Sequence, residues 1–172
     1  MAEALPALGR GAVASPLDDI HVVFAGETLL HLDFVGNESR LERGVGRRFP
    51  SRSCSAQPVP TPIQRALDGY FQGAFDSVGE LVWLTGGTPF QRQIWRALLE
   101  IGAGETVSYG QLAERVGLTS RASRAVGAAV GANPVSVFVP CHRVVGANGR
   151  LTGYAGGLER KRWLLRHEGV DV

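Results

Sequence analysis

The sequence of 172 residues predicts an α+β fold: an N-terminal antiparallel sheet with a covering helix, then a mostly helical C-terminal half. Three observations predict it. Apolar and polar residues alternate between positions 20 and 34, short capped helices follow one another after position 88, and the pair Gly86-Gly87 separates these two patterns. We therefore expect two domains, over residues 1–87 and 88–172.

The composition excludes several classes of protein. With 44% hydrophobic and 20% charged residues, the chain can bury a core, so global disorder and fibrous repeats are excluded. Two cysteines cannot form a disulfide scaffold or a four-cysteine zinc site. The N-terminal segment lacks the regions of a signal peptide, and no stretch approaches the roughly 20 apolar residues of a membrane span. We expect a cytoplasmic protein without membrane contact.

The alternation over 20–24 and 30–34 predicts a two-stranded hairpin that turns at Gly26-Glu27. Residues 37–60 are charged and aperiodic and contain three prolines, which predicts a long loop. A helix is expected to begin at a Thr61 cap and to end at Gly73, covering the sheet, with a further strand over 81–84.

The second half is predicted to hold three capped helices in succession. Thr88 begins the first, Ser108 and Gln111 form a capping box for the second, and Thr119 or Ser120 caps a third over 121–132. Two short helices joined by a glycine-containing turn are typical of a helix-turn-helix. Apart from Arg121, Arg124, Val126 and Val130, the third helix has almost no large side chains, so it can approach another surface closely. Helix packing and DNA contact both remain open explanations, although residues 88–172 hold 11 basic against 6 acidic residues.

An apolar segment over 135–139, predicted as a strand, leads into Pro140-Cys141-His142-Arg143, and Asn148-Gly149 predicts a hairpin turn after it. A lone buried cysteine is ordinarily an inert hydrophobe. Here the flanking His142 and Arg143 favour the thiolate, which is the nucleophilic form. Neighbours in a strand point apart, so His142 reaches Cys141 only through a non-extended backbone or a bridging water. Glu168 could orient His142, or it could be a solvated carboxylate at a helix end.

These residues resemble the O6-alkylguanine-DNA alkyltransferase family. The resemblance covers residues 88–172 and rests on Pro140-Cys141-His142-Arg143-Val144-Val145-Gly146 together with the segments 120–127, 131–134, 151–157 and 163–169. It implies a ribonuclease H-like N-terminal domain and a winged-helix-like C-terminal domain with an active-site cysteine loop. It also implies DNA repair by direct reversal. An alkyl group moves irreversibly from O6-alkylguanine, and more weakly from O4-alkylthymine, in double-stranded DNA to Cys141, so each molecule acts once.

The resemblance further implies roles for individual residues. Cys141 would be the nucleophile, His142 a base acting through a water, Glu168 the residue that orients His142, Tyr109 the proton donor to the departing guanine, and Asn133 the tie between the recognition helix and the cysteine loop. Arg124 would fill the space left by the flipped base, and other DNA contacts would come from Tyr109, Gly110, Thr119 and Ala122. The substrate pocket would be lined by Val130, Pro140, Val144, Tyr154, Ala155 and Gly156.

No cofactor is expected, and no metal, because His21, His31 and Cys54 do not make a convincing ligand set. Ala155 stands where some members of the family have a serine, which removes a hydroxyl near O6. We expect a monomer without an obligate protein partner, and cooperative binding along DNA stays open. Two other functions remain: a sensor that binds alkylated bases without repairing them, and a cysteine hydrolase, which the adjacent Cys141-His142 pair disfavours.

Overall fold

In the computed structural model the described residues are 6–78 and 86–172. They belong to two compact units, residues 1–86 and 87–172. The strand expected over 81–84 lies outside the described residues. The predicted α+β class is confirmed, and within the described ranges no helix is long and apolar enough to cross a membrane.

The first unit is built on a sheet of four strands: β1 (Leu8–Val13), β2 (Ile20–Ala25), β3 (Thr28–Phe34) and β4 (Cys54–Ala56). Their order is β3-β2-β1-β4. The predicted hairpin is confirmed as β2 and β3, which pair antiparallel with Ile20 opposite Phe34. Strands β1 and β4 are not among the predicted elements. β1 is antiparallel to β2, whereas β4 joins β1 in parallel at the edge of the sheet.

The loop expected over 37–60 is wrong, because this segment contains both β4 and a helix, α1 (Glu38–Arg48). Leu41 and Val45 are one helical turn apart and pack against a face of the sheet formed by Leu8, Val23, Ala25 and Leu30. Only these two apolar side chains of α1 are buried, among many charged ones. The segment therefore has too few apolar residues at helical spacing to predict a helix, and α1 is stabilised by packing against the sheet.

A buried polar cluster also holds α1 to β3. The Asp33 carboxylate, fully buried, accepts hydrogen bonds from Arg40 and from Asn37 Nδ2 at 2.8 Å. From the last turn of the helix, Arg48 donates to the carbonyl oxygen of Leu30 at 2.6 Å and to His31 Nδ1 at 2.9 Å. A buried carboxylate needs such partners because burial without them disfavours its charged form.

The second helix of this unit, α2 (Thr61–Phe71), follows the prediction with one correction. Pro60 is the N-cap and Thr61 is already helical, so the Thr61 side chain makes no capping bond. The helix ends just before Gly73, whose φ of +94° suits glycine. Its buried stripe is Ile63, Ala66, Leu67 and Tyr70, followed by a short 3₁₀ turn at Phe75–Val78.

The second unit contains α3 (Pro89–Leu99), α4 (Tyr109–Arg115), α5 (Ser123–Gly131) and α6 (Leu158–His167), with short strands β5 (Val107–Ser108) and β6 (Val144–Val145). The two strands pair in parallel. The predicted capping box at Ser108 is confirmed, and the predicted helix start at Thr88 is a capping box as well. Gln91 N–H donates to Thr88 Oγ1, and Gln111 N–H donates to Ser108 Oγ, each at 3.1 Å.

The third predicted helix begins differently. A 3₁₀ turn over Ser120–Ala122 precedes α5, and the turn's N-cap, Thr119, makes no side-chain capping bond. The two helices α4 and α5 with this short connection form the predicted helix-turn-helix.

The strand expected over 135–139 is wrong: the segment is a series of buried turns. Val139 N–H donates to the carbonyl oxygen of Val135 at 3.0 Å, and Val137 has a left-handed φ of 71°. A continuous apolar segment shows that residues are buried but not which backbone they adopt. The turn at Asn148-Gly149 is confirmed, since Gly146 N–H donates to the carbonyl oxygen of Arg150 at 2.8 Å.

Candidate active site

Helix α5 has a tightly packed inner face and an open outer face. Val126, Ala129 and Val130 are buried, and Trp95 Nε1 of α3 donates to the carbonyl oxygen of Ala129 at 2.8 Å. A Cβ added at Gly127 would lie 3.6 Å from the Tyr109 ring, so the helix lies directly on α4. Arg124 is exposed on the outer face. Gly127 and Ala129 therefore serve helix packing, while the outer face, which includes the exposed Ala125 and Ala128, is free of bulky apolar groups.

Cys141 begins a single 3₁₀ turn, Cys141–Arg143, and not an extended strand end. Its N–H donates to the carbonyl oxygen of Val139 at 2.8 Å, and Arg143 N–H donates to that of Pro140 at 3.1 Å. The Cys141 side chain is buried, with 6% of the residue exposed. This backbone is the non-extended form that would allow the imidazole of His142 to act on the neighbouring thiol.

His142 is fully buried, and its Nε2 lies 2.8 Å from Glu168 Oε1. Burial lowers the pKa of His142 below its usual value of 6.5, and the Glu168 carboxylate opposes that shift only in part. The imidazole is therefore neutral at neutral pH. Because a carboxylate only accepts hydrogen bonds, Nε2 carries the proton and Nδ1 remains basic. The pair is arranged as a base with its orienting carboxylate.

Arg143 completes this buried ion cluster. Its Nε donates to Glu168 Oε2 at 2.8 Å and its Nη2 donates to Oε1 at 2.9 Å, while Nη1 donates to the carbonyl oxygen of Ile101. This bidentate pair holds the carboxylate ionised where it orients His142. From the sequence Arg143 is only a flanking cation. Its position within an apolar segment is the one sequence feature that indicates burial, and a buried guanidinium requires a carboxylate partner.

Asn133 follows the end of α5 and is fully buried. Its Nδ2 donates to the carbonyl oxygen of Val139 at 2.8 Å, and its Oδ1 accepts from Val135 N–H at 2.9 Å. The side chain thus bridges the turns that lead from α5 to Cys141, and the structure brings these two sequence-predicted residues into one continuous segment.

Tyr109 faces a groove of about 1030 Å³ between the helix-turn-helix and the loop after β6. The groove is lined by Ser108, Tyr109, Gly110, Gln111, Glu114, Ser120, Ser123, Arg124, Gly127, Ala147, Thr152 and Gly153. The Tyr109 hydroxyl donates to the carbonyl oxygen of Thr152 at 3.3 Å. Burial, together with the charge of Cys141, raises the pKa of Tyr109, so its hydroxyl keeps its proton. Of the predicted DNA contacts, Tyr109, Gly110 and Arg124 line this groove, whereas Thr119 and Ala122 lie outside its lining.

The predicted pocket residues occupy three neighbouring segments of the second unit. Val130 is on the buried face of α5, Pro140 and Val144 flank the cysteine turn, and Tyr154, Ala155 and Gly156 lie in the loop that leads into α6. Val130, Pro140, Val144 and Gly156 are buried, and Ala155 is exposed. Over the described ranges 6–78 and 86–172, no group of three or more His, Cys, Asp or Glu residues could hold a metal ion.

Residues 89–170 match the family model described as the DNA-binding domain of 6-O-methylguanine DNA methyltransferase. The chain is 56% identical over 160 residues to a methylated-DNA–protein-cysteine methyltransferase of Salmonella typhimurium, covering 91% of this chain and 93% of that protein. It is 39% identical over 155 residues to the protein of that name from Methanosarcina acetivorans, covering 90% and 94%.

Two solved structures are similar along most of the chain. The Mycobacterium tuberculosis O6-methylguanine methyltransferase superposes with a TM-score of 0.76 at 35% identity, covering 94% of this chain and 92% of that one. The Mycobacterium tuberculosis OGT protein in complex with DNA superposes with a TM-score of 0.74 at 36% identity, covering 91% and 90%.

Proposed function

Because the chain belongs to the methylated-DNA–protein-cysteine methyltransferase family, we propose that it repairs DNA by moving an alkyl group from O6 of guanine to its own Cys141. The observation that carries the proposal is the buried cysteine turn, in which His142 Nε2 lies 2.8 Å from the Glu168 carboxylate directly after Cys141. Transfer from O4 of alkylated thymine follows as a weaker reaction of the same site.

The reaction is a single displacement at the alkyl carbon. His142, through a bridging water, takes the proton of the Cys141 thiol, because burial keeps its imidazole neutral and Nδ1 carries no proton. The Cys141 sulfur then forms a bond to the alkyl carbon as the bond from that carbon to O6 breaks. The displaced electron pair stays on guanine, which takes a proton from the Tyr109 hydroxyl, and the imidazolium of His142 then returns its proton through solvent to the Tyr109 phenolate.

The product explains why one molecule repairs one lesion. A thioether has no good leaving group, so no water or thiol in the site returns Cys141 to its free form. The cluster of Glu168 and Arg143 fixes His142 for a reaction that it performs once. The protein is consumed stoichiometrically.

Access to the lesion requires that the base leave the duplex, at a cost of a few kcal/mol of stacking. The exposed Arg124 on α5 would fill the space left behind, with α5 in the minor groove, where the small side chain of Ala122 would permit close approach. The carbonyl oxygens of Cys141 and Val144 would accept from the guanine amino group, and Val130, Tyr154 and Gly156 would line the pocket. Thr119 and Gly110 would contact the DNA backbone. Binding of this kind depends little on sequence and weakens with salt.

The decisive experiment is intact-protein mass spectrometry with peptide mapping, after mixing the protein with a duplex that carries one O6-methylguanine. We expect the mass to increase by one methyl group, located on Cys141 and saturating at one group per molecule. Cys141→Ala should gain no methyl group yet retain binding to the lesion. Cys54→Ala is the matched control, because it removes the other cysteine of the chain and should react like the parent protein.

The other outcomes separate the alternatives. An unchanged mass with retained DNA binding would identify a lesion sensor. If the protein neither reacts nor binds, hydrolysis of activated esters should be tested, because a cysteine hydrolase would recycle its thiol. Methyl transfer by Cys141→Ala would overturn the assignment of the acceptor.

A further inference from the structure

Trp95, on α3, is joined to α5 by a buried hydrogen bond. Only 3% of the residue is exposed, and its Nε1 donates to the carbonyl oxygen of Ala129 at 2.8 Å. The opposite edge of the ring lies against Gly87, where an added Cβ would approach Trp95 Cη2 to 2.6 Å. The indole is therefore fixed at both edges, and its N–H is held in the direction of α5.

The acceptor, the carbonyl of Ala129, belongs to the last turn of α5, where the donors of the helix itself are used up. In a regular α-helix it would accept from the N–H of Asn133, four residues on, but that N–H donates to the carbonyl oxygen of Val130 at 3.2 Å. Ala132 N–H reaches the Ala129 oxygen at 3.2 Å. Trp95 thus makes the shorter bond to this carbonyl, from outside the helix.

Helix α5 has few large side chains with which to hold its own position. Its buried residues are Val126, Ala129 and Val130. Apolar burial of this kind is non-directional, and small side chains offer little ridge to lock into a facing groove. A hydrogen bond, in contrast, fixes both a distance and a direction. The bond from Trp95 therefore limits how far α5 can slide or turn against α3.

The bonded carbonyl lies between the two parts of the proposed reaction. Arg124 is five residues before Ala129, about 7.5 Å along the helix axis. Asn133, which bridges the turns leading to Cys141, is four residues after it. A shift of α5 would move Arg124 relative to the cysteine turn, and a misplacement of about 1 Å can slow a reaction by about 100-fold.

We propose that Trp95 is a positioning residue for the repair of duplex DNA: its indole N–H fixes the end of α5, so that the base displaced by Arg124 arrives at Cys141. The inference rests on the proposed function, because it assigns Trp95 to the base-flipping step of that reaction. A free base needs no flipping, so the role of Trp95 is confined to the duplex substrate.

The test compares single-turnover rates of methyl transfer from O6-methylguanine within a duplex and as the free base. Trp95→Phe keeps an aromatic ring in the buried site and removes the N–H donor. We expect it to slow the duplex reaction by at least about tenfold and to leave the free-base rate within about twofold of the parent rate. Gln93→Leu is the matched control, because Gln93 of α3 donates to the carbonyl oxygen of Val116 at 3.3 Å at the surface, where water can replace the bond. Both of its rates should match those of the parent.

A double-mutant cycle separates positioning from a loss of stability. Because Trp95 acts on Arg124 through α5, Trp95→Phe added to Arg124→Ala should slow duplex repair no further than Arg124→Ala alone. A protein that is only destabilised would lose both rates in proportion to its folded fraction. Equal losses on the two substrates would therefore overturn the proposal, as would a duplex rate equal to that of the parent or of Gln93→Leu, or effects that multiply in the double variant.

A second variant covers the case in which Trp95→Phe fails to fold. Benzothienylalanine at position 95 replaces the indole N–H by sulfur in a fused ring of nearly the same shape, so the packing against Gly87 is kept and only the bond to Ala129 is lost. We expect the same slowing on the duplex alone, and an unchanged duplex rate would overturn the proposal. Failure of the parent protein to accept any methyl group from the duplex is a different result, which would refute the proposed function itself.

Discussion

Glu168→Gln tests the buried ion cluster most directly. The substitution keeps the shape of the side chain but removes the charge that accepts three hydrogen bonds, from His142 Nε2 at 2.8 Å and from Arg143 Nε and Nη2 at 2.8 and 2.9 Å. It leaves the buried guanidinium of Arg143 without the carboxylate to which it donates two hydrogen bonds. Breaking a buried pair in this way destabilises a protein by about 3–5 kcal/mol. The second unit has the size of a domain in which 1 kcal/mol shifts Tm by about 4–8 °C, so its melting should fall by at least about 12 °C.

The assay is urea unfolding of the parent and of Glu168→Gln, followed by fluorescence of the tryptophans. Glu159→Gln is the control, because it removes a carboxylate from the same helix whose ion pair with Arg162 is at the surface; its midpoint should match that of the parent. Adding Arg143→Met to Glu168→Gln should recover stability, since it removes the unpaired charge. A loss below about 1 kcal/mol for Glu168→Gln would refute the reasoning that the cluster depends on this carboxylate.

Three further predictions concern other parts of the molecule. Arg124→Ala should slow repair of a duplex lesion far more than reaction with free O6-alkylguanine, because only the duplex requires the flipped base to be replaced; equal losses in the two rates would contradict that role. Asn133→Ala should lower the free energy of unfolding by about 1–3 kcal/mol, since it leaves the buried Val135 N–H without its acceptor and removes one of the two hydrogen bonds to the Val139 carbonyl oxygen, and a loss within measurement error would be incompatible with the bridge. Between pH 7.5 and 5.5 the free energy of unfolding should fall as the pH decreases below about 6.5, because the pKa values of His142 and His31 are lowered in the folded state and the unfolded chain binds the extra protons first. Urea midpoints at pH 7.5, 6.5 and 5.5 check this sign, and a midpoint that rises in acid would reverse it.

The parts of the fold that could be predicted are those decided by neighbours in sequence. The capping boxes at Thr88 and Ser108 need only a glutamine three residues on, and the β2–β3 hairpin needs only alternation on two sides of a turn. Helix α1 was not predicted because only two of its apolar residues are buried. They stabilise the helix by packing against the sheet, whose strands come from other parts of the sequence. The edge strand β4 is three residues long and pairs with a strand more than 40 residues earlier.

Some residues of the candidate site could also be predicted from the sequence, and others could not. Cys141, His142 and Glu168 could be selected because their residue types define a chemistry, and the structure places His142 and Glu168 in contact. Arg143 could not be assigned from the sequence, because its acceptor is a carboxylate 25 residues away. Basic residues ordinarily face water, and only the packed structure shows which one does not.

The left-handed backbone at Val137 limits which segment of the chain can be grafted onto another protein and still keep the conformation of the cysteine turn. A β-branched residue at φ 71° is held there at a cost of about 1–3 kcal/mol, and the bonds of Asn133 to Val135 and Val139 close the turns around it. The short sequence that follows it, from Pro140 to Val144, has no reason to adopt its reactive shape without that frame. An engineer who grafts these five residues onto a foreign scaffold should recover an ordinary cysteine, whereas a graft that begins at Asn133 and carries its own supporting helices transfers the unit that creates reactivity.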